Sequence, residues 1–271
     1  MSGSSRLRRV QTAVLSIVTV VALGASGVAI YDGLHHSGAR SCKAVVSGTT
    51  YTLQPDQATN ATTITAVGKR LGLPDHAVTV GLAAALQESN LHNLAHGDRD
   101  SLGLFQQRPS QGWGTAAQVM DPAYAAEAFY THLAQVNGWE SLSVTKAVQA
   151  VQRSGAPDAY ARWESEARAL AIATTGEAPA AFTCHGPKPK ASAVDPGLTT
   201  TLSSEFGPVD LGTTVGSARG WTVASWLVAH SDRFGITAVT FAGRRWTPSS
   251  GSWTHGAPGP NRVQIERVAT A

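Results

Sequence analysis

The sequence predicts a mainly α-helical domain followed by a small α+β domain. Between residues 54 and 176, prolines repeatedly stand where a first helical residue is expected, and glycines follow the expected helix ends. The segment after Pro122 places its apolar residues at the spacing of one helix face. Residues 236–241 and 262–266 instead alternate between apolar and polar side chains, as half-buried strands do.

The N-terminal segment is predicted to lie outside the folded domains. Residues 1–12 carry three arginines, and residues 13–31 form an apolar run without charge. Positive charge before such a run keeps its N-terminus inside the cell. We interpret 13–31 as an uncleaved signal anchor of a single-pass membrane protein with extracellular domains. Small residues such as Ala25 and Gly27 keep the alternative open, in which a signal peptidase releases a secreted protein.

Two cysteines, Cys42 and Cys184, bracket the predicted helices. In an exported protein, such a pair most simply forms one disulfide that ties the ends of a domain together. We therefore place the first domain at 42–184. Residues 185–204 are rich in proline, lysine and small residues and are predicted to be a linker, so the accessory α+β domain occupies 205–271.

The charge of the chain excludes one class of partner and is compatible with another. The 271 residues carry a formal net charge of +3, which makes the chain mildly basic. Its lysines and arginines do not cluster with aromatic residues, so no nucleic-acid partner is expected. A weak attraction to anionic polymers fits this charge.

Glu88 is the candidate catalytic residue. It follows the apolar run Ala77–Leu86, which is typical of a core helix, and a Gly-Leu-Phe-Gln-Gln segment at 103–107 comes fifteen residues later. A glutamate at a helix end usually marks the point where the helix meets solvent. Here the nearby apolar residues should raise its pKa, so that it holds a proton near neutral pH as a general acid does.

The pair Glu88-Ser89 followed by Gly103-Leu104-Phe105-Gln106 resembles the ES…GLMQ signature of soluble lytic transglycosylases and goose-type lysozymes. Both groups belong to the lysozyme superfamily and cleave the β-1,4 glycan strands of peptidoglycan. The similarity extends from about Gln57 to Glu166. It implies a lysozyme-like fold for 42–184 and cleavage of the MurNAc–GlcNAc bond, by a lytic transglycosylase or a muramidase-like enzyme, with Glu88 as the general acid and no cofactor.

The resemblance also implies roles for other residues. Gly103, Leu104 and Phe105 would form the cleft wall, and Gln106 would either hydrogen-bond the sugar or support the backbone near the acid. The residues implicated in substrate binding are Ser89, Gly103, Leu104, Phe105, Gln106, Gln107, Gln152 and Tyr160.

Two positions depart from the family pattern. Arg108 stands where goose-type enzymes carry an aspartate, and Val151-Gln152 stands where related proteins have a Tyr-Asn pair. These departures support an alternative class of function, a non-catalytic peptidoglycan-binding or scaffold protein of the cell envelope. The glutamate and the glycine-led segment support the enzyme.

Four further side chains are candidates for chemistry near Glu88. Asp98 and Asp100 are the candidates for the second carboxylate that an inverting hydrolase needs, or they form a loop turn with Arg99 as partner. His92 and His96 follow Glu88 at helical spacing. We expect no metal there, because the helix is predicted to end before them and the spacing is not that of a zinc motif.

Overall fold

A computed structural model describes residues 40–256, 259 and 261–269. The predicted cytoplasmic residues 1–12 and the predicted signal anchor 13–31 lie outside this set. Within it, no helix is both long enough and apolar enough to cross a membrane. The expected transmembrane helix is therefore absent from the part of the chain that the structure describes.

The prediction of a mainly α-helical protein is wrong, because strands make up 16% of the structure beside 46% helix. The first of two small antiparallel sheets contains β1 (Ser41–Val46), β2 (Thr49–Leu53) and β3 (Phe182–His185), in the order β2-β1-β3. The sequence of β2 is mostly threonine and shows no alternation of apolar residues, which explains why it was not predicted.

Two features hold this first sheet together. Ser47 and Gly48 join β1 to β2 with positive φ angles of 50° and 80°, the conformation that a two-residue hairpin turn of right-handed twist requires. Cys42 lies opposite Cys184 in the register of β1 and β3, and a disulfide joins them. The predicted disulfide is thus confirmed in the structure, and it brings together residues that are 142 positions apart in sequence.

Helices form most of the chain between β2 and β3, and two more α-helices lie between β3 and the second sheet. Proline occupies the first position of two helices, and the Asp121 side chain accepts hydrogen bonds from the first-turn N–H groups of Ala123 and Tyr124. The helices are α1 (Pro55–Arg70), α2 (Asp75–Ser89), α3 (Ala116–Val119), α4 (Pro122–Ala134), α5 (Val144–Gln152), α6 (Glu164–Thr174), α7 (Leu198–Phe206) and α8 (Ser217–Ala229).

Helix α2 is the central helix, and residues 77–86 are buried along its whole circumference. It packs against α1, α4, α5 and α6, as its apolar sequence predicts. The close approach of α1 and α2 to the buried Tyr130 depends on Gly68 and Gly81. A Cβ at either position would lie about 3.1 Å or less from the Tyr130 ring or hydroxyl. This packing fixes the direction in which the C-terminal end of α2 presents its side chains.

The second sheet lies in the C-terminal part of the chain. It contains β4 (Ile236–Phe241), β5 (Arg244–Trp246), β6 (Trp253–His255) and β7 (Gln264–Arg267), in the antiparallel order β6-β5-β4-β7. Helix α8 packs against this sheet and also against α1 and α6. Arg40–Ala271 forms one compact unit, and the division into a catalytic and an accessory domain stays a prediction.

Glu205 is a buried carboxyl on α7, at the place where this helix meets α1 and α8. Its side chain is 5% exposed and accepts a hydrogen bond of 2.7 Å from the Trp226 indole N–H of α8. It also faces Thr63 of α1. Burial raises the pKa of Glu205 to about 7, against a partial lowering by these two hydrogen bonds.

This buried carboxyl should make stability depend on pH. The unfolded chain releases the Glu205 proton near pH 4.5, whereas the folded protein holds it until about pH 7. The free energy of unfolding should therefore fall with rising pH in that window, by on the order of 2–3 kcal/mol between pH 5 and pH 8. Glu205→Gln should remove this part of the slope, as measured by urea unfolding at both pH values. Identical slopes for variant and parent would contradict the expectation.

Candidate active site

Glu88 is the penultimate residue of α2, and the helix ends directly after it. Asn90 and Leu91 both have positive φ, 51° and 62°, so the chain turns away from the helix axis. Two side chains of α1 hold this turn: the Gln57 amide donates to the Asn90 carbonyl at 2.8 Å, and the Asn60 amide donates to the Leu91 carbonyl at 2.7 Å. The position of the Glu88 backbone is therefore fixed by buried polar contacts.

The Glu88 carboxyl is half-buried and has a specific partner. The Tyr160 hydroxyl donates a hydrogen bond of 2.8 Å to Oε1 of Glu88. Tyr160 is fully buried on the 3-10 helix Ala159–Trp163, which is also tied to α2 because the Trp163 indole N–H donates to Gln87 at 2.8 Å.

Burial is the main influence on the protonation of this site. It raises the pKa of Glu88 above the ordinary value, while hydrogen bonding from Tyr160 and Gln152 opposes that rise. The pKa of the Tyr160 hydroxyl is itself raised by burial and by the neighbouring carboxylate, so Tyr160 stays a donor throughout the neutral range. The arrangement can hold a proton on Glu88 and can stabilise the carboxylate once that proton has left.

The GLFQQ segment (residues 103–107) forms a tight loop against the end of α2. Leu102 and Gln107 close it with two backbone hydrogen bonds of 3.0 Å. The Ser89 hydroxyl donates to the Leu104 carbonyl at 2.7 Å, and the Gln152 amide donates to the Phe105 carbonyl at 2.9 Å. Backbone carbonyls of this loop thus bind the side chains next to Glu88.

Gly103 is required by the shape of the loop. Its φ is +76°, and a Cβ at this position would lie 2.3 Å from the Val119 carbonyl oxygen. Any other residue would be strained and would collide with α3.

The side chains of Leu104 and Phe105 point into the core of the protein. Both are buried in the core, where the Phe105 ring stacks on Phe129 with the ring centres 4.8 Å apart. Burial of these apolar side chains in the core is favourable, so any part that this segment has in a cleft wall involves its backbone. The contribution of Leu104 and Phe105 to the site is their backbone carbonyls.

The two glutamines of the loop also serve its internal structure. The Gln106 amide donates to the Gly103 carbonyl at 3.1 Å and packs so closely on Gly97 that no Cβ fits there. Of the two predicted roles for Gln106, this geometry favours support of the backbone. Gln107 is buried and donates to the Ala125 carbonyl at 3.0 Å.

The two candidate second carboxylates differ in their surroundings. Asp100 accepts a hydrogen bond of 2.8 Å from the Ser110 backbone and one of 2.7 Å from Arg108, and these bonds hold its pKa far below the ordinary value. Asp98 is exposed and has only Arg99 beside it, at 4.0 Å. For Asp100 the structure favours a structural role in the loop, with Arg108 and not Arg99 as its partner.

The two histidines do not converge on Glu88. His92 pairs with Asp56 of α1, and His96 is exposed in the loop. Across residues 40–256 and 261–269, no three histidine, cysteine or acidic side chains are grouped as metal ligands would be.

The structure thus brings together Glu88, Ser89, Gln152 and Tyr160 from three helical segments. Sequence analysis missed the contribution of Gln57 and Asn60. The available signal was two polar residues three positions apart on a helix that is otherwise buried on that face, a pattern that indicates a hydrogen-bonding task inside the fold.

No model of a known protein family matches the chain, and no curated protein matches its sequence significantly. The assignment of a function therefore depends on the motif and on the geometry around Glu88.

Proposed function

We propose that this protein cleaves the β-1,4 MurNAc–GlcNAc bond of peptidoglycan, with Glu88 as the general acid, as a member of the lysozyme superfamily. The supporting observation is the Glu88 carboxyl itself. It is half-buried, its pKa is raised, and it is oriented by the buried Tyr160 hydroxyl. These three features together suit a carboxyl that holds a proton and delivers it as a general acid.

The chemistry begins with the protonated carboxyl. Glu88 donates its proton to the glycosidic oxygen while the bond from that oxygen to C1 of the sugar breaks. The Glu88 carboxylate that results is stabilised by hydrogen bonds from Tyr160 and Gln152. Burial thus favours the protonated acid before the bond breaks, and the hydrogen bonds stabilise the carboxylate after the proton has been transferred.

The second half of the reaction is proposed to use one carboxylate. Asp100 is held by Arg108 and Ser110, so the proposed route assigns it no part in positioning water. The N-acetyl group of the substrate can stabilise the developing positive charge at C1. The 6-hydroxyl oxygen of the same sugar then attacks C1 and gives its proton to Glu88, which yields a 1,6-anhydro product and restores the acid. The enzyme is then a lytic transglycosylase and not a muramidase.

The location that suits this function is outside the cytoplasm. The buried Cys42–Cys184 disulfide is consistent with an oxidising, extracellular compartment. Peptidoglycan strands, the proposed substrate, lie in that compartment.

The hydrogen bond from Arg108 to Asp100 occupies one of the two carboxylates that a hydrolase could use beside Glu88. This also favours a second candidate function, a peptidoglycan-binding scaffold without turnover. Dye-labelled peptidoglycan sacculi separate the two candidates. The enzyme releases soluble dye in proportion to protein and time, whereas a scaffold binds the sacculi and releases none. Binding without release would therefore contradict the proposed function.

Tyr160→Phe tests the orientation of the acid. The substitution preserves the buried ring and removes the hydroxyl that donates to Glu88. Because this hydrogen bond lowers the pKa of Glu88, its loss should move the alkaline limit of activity to higher pH. The rate of dye release at its optimum should fall about tenfold, since the carboxylate loses a hydrogen bond. An unchanged pH profile would show that Tyr160 does not act on the acid.

A further inference from the structure

A cavity separate from the Glu88 site lies in the C-terminal part of the chain. Its volume is 430 Å³, within the range of roughly 300–1,000 Å³ that is usual for ligand pockets. All of its lining comes from residues 203–263, so neither α2 nor the GLFQQ segment contributes to it. The aliphatic side chains of the lining are Val209, Leu211, Val215, Val223 and Val263.

One wall of the cavity is the segment between α7 and α8, which backbone contacts hold in place. The Val215 N–H donates to the Asn261 carbonyl at 2.7 Å, and this ties the segment to the chain before β7. The Thr213 hydroxyl donates to the Asp210 carbonyl at 2.8 Å and closes a turn within it. The cavity is therefore preformed, which reduces the free-energy cost of binding a ligand.

The interior of the cavity is aliphatic. Val223 of α8 and Val263 are buried, whereas Val209, Leu211 and Val215 are half-buried and pack against the core. Covering such apolar surface contributes about 25 cal/mol per Å² removed from water. Among the described residues, none of those that line the cavity is aromatic, so no ring is present on which a sugar or a base could stack. An aliphatic group therefore suits this interior best.

One acidic and one basic residue, Asp210 and Arg219, belong to the same lining. Both are exposed, and within the described part of the chain they form no salt bridge with each other or with another side chain. A guanidinium donates paired hydrogen bonds to a carboxylate, and a carboxylate accepts hydrogen bonds from ammonium and amide N–H groups. The two charges together match a ligand that has both a carboxylate and a nitrogen donor.

We infer that this cavity binds an aliphatic α-amino acid, either free or as the C-terminal residue of a peptide. The aliphatic side chain enters the cavity, the α-carboxylate accepts hydrogen bonds from Arg219, and the α-nitrogen donates to Asp210. The two sources share this chemistry and differ in the nitrogen, which is a charged ammonium in the free amino acid and a neutral amide in the peptide. This binding site is additional to the proposed glycan cleavage and does not depend on it.

Calorimetric titration of the full-length protein tests the site with small probes. L-leucine represents the free amino acid, and Nα-acetyl-L-leucine represents the end of a peptide. The probe of these two that binds more tightly identifies the source. Glycine lacks the aliphatic side chain and isopentylamine lacks the carboxylate, so each should bind at least about tenfold more weakly than that probe. Isocaproate is leucine without its nitrogen and serves to separate the two charged contacts.

Two variants assign the charged contacts. Arg219→Gln should weaken the binding of the tighter probe and of isocaproate alike, by about tenfold or more, since both carry the carboxylate. Asp210→Ala should weaken the binding of the tighter probe and leave isocaproate unaffected. Arg262→Gln is the matched control, because it removes one positive charge from an exposed position that adjoins Val263 in sequence and is not part of the lining.

Three results would overturn the inference. The first is that the wild-type protein binds neither leucine nor acetyl-leucine at millimolar concentration. The second is that glycine binds as tightly as the better of these two probes. The third is that Arg219→Gln or Asp210→Ala, shown by circular dichroism to be folded, binds that probe like Arg262→Gln. These results are independent of dye release from sacculi, which judges the proposed function.

Discussion

Glu88→Gln is expected to abolish most glycan cleavage while the protein stays folded. Glutamine has the shape of glutamate and can still accept the Tyr160 hydrogen bond, but it has no proton to donate. Loss of a positioned general acid commonly reduces the rate by a factor of about 10²–10⁴. The initial rate of dye release from sacculi measures this effect, and co-sedimentation with sacculi should show that binding persists.

The wild-type protein should also show a pH dependence that matches a buried acid. Glu88 must be protonated to act, and burial raises its pKa. Activity should therefore be retained above the ordinary range of a glutamate and should decline as the pH rises through this raised value. Glu140→Gln is the matched control, since Glu140 is exposed and distant in sequence from the site. Wild-type rates in Glu88→Gln would show that another group is the acid.

Removal of the disulfide is expected to have the largest effect on stability. The Cys42–Cys184 bond closes a long loop and joins β1 to β3, and both residues are buried. Loss of a native disulfide from a small exported domain typically costs about 2–5 kcal/mol, mainly because the unfolded chain gains freedom. The double variant Cys42→Ala/Cys184→Ala should therefore unfold at a clearly lower urea concentration than the parent.

Alanine suits this test because it leaves no unsatisfied hydroxyl in the buried positions. Reductant provides the internal control. It should lower the unfolding midpoint of the wild-type protein toward that of the double variant and should leave the double variant unchanged. A wild-type midpoint that is insensitive to reductant and equal to that of the variant would show that the disulfide contributes no stability.

Sequence reasoning identified the parts of the fold that carry strong periodic or chemical signals. The apolar run 77–86 predicted the central helix, and two cysteines in an exported chain predicted the disulfide. The strands of the first sheet were missed, because β2 and β3 are short and β2 is mostly threonine. Strand pairing of this kind depends on contacts across the sequence, which a local pattern does not contain.

The site shows the same limit at the level of single side chains. The motif located Glu88, Ser89 and the GLFQQ segment, yet it did not show that Leu104 and Phe105 are core residues that act through their carbonyls. The distinction depends on which way the loop turns. Gly103 sets that turn through its close approach to α3, a tertiary contact that the sequence alone does not reveal.

Mass spectrometry of the sugar ends released from sacculi tests the central claim most directly. The account predicts fragments that end in 1,6-anhydro-muramic acid, lighter by one water than hydrolysed ends, from the wild-type protein and not from Glu88→Gln. Reducing ends would contradict the route with a single carboxylate. Release of no fragments by the wild-type protein, or of the same fragments by Glu88→Gln, would contradict glycan cleavage by Glu88.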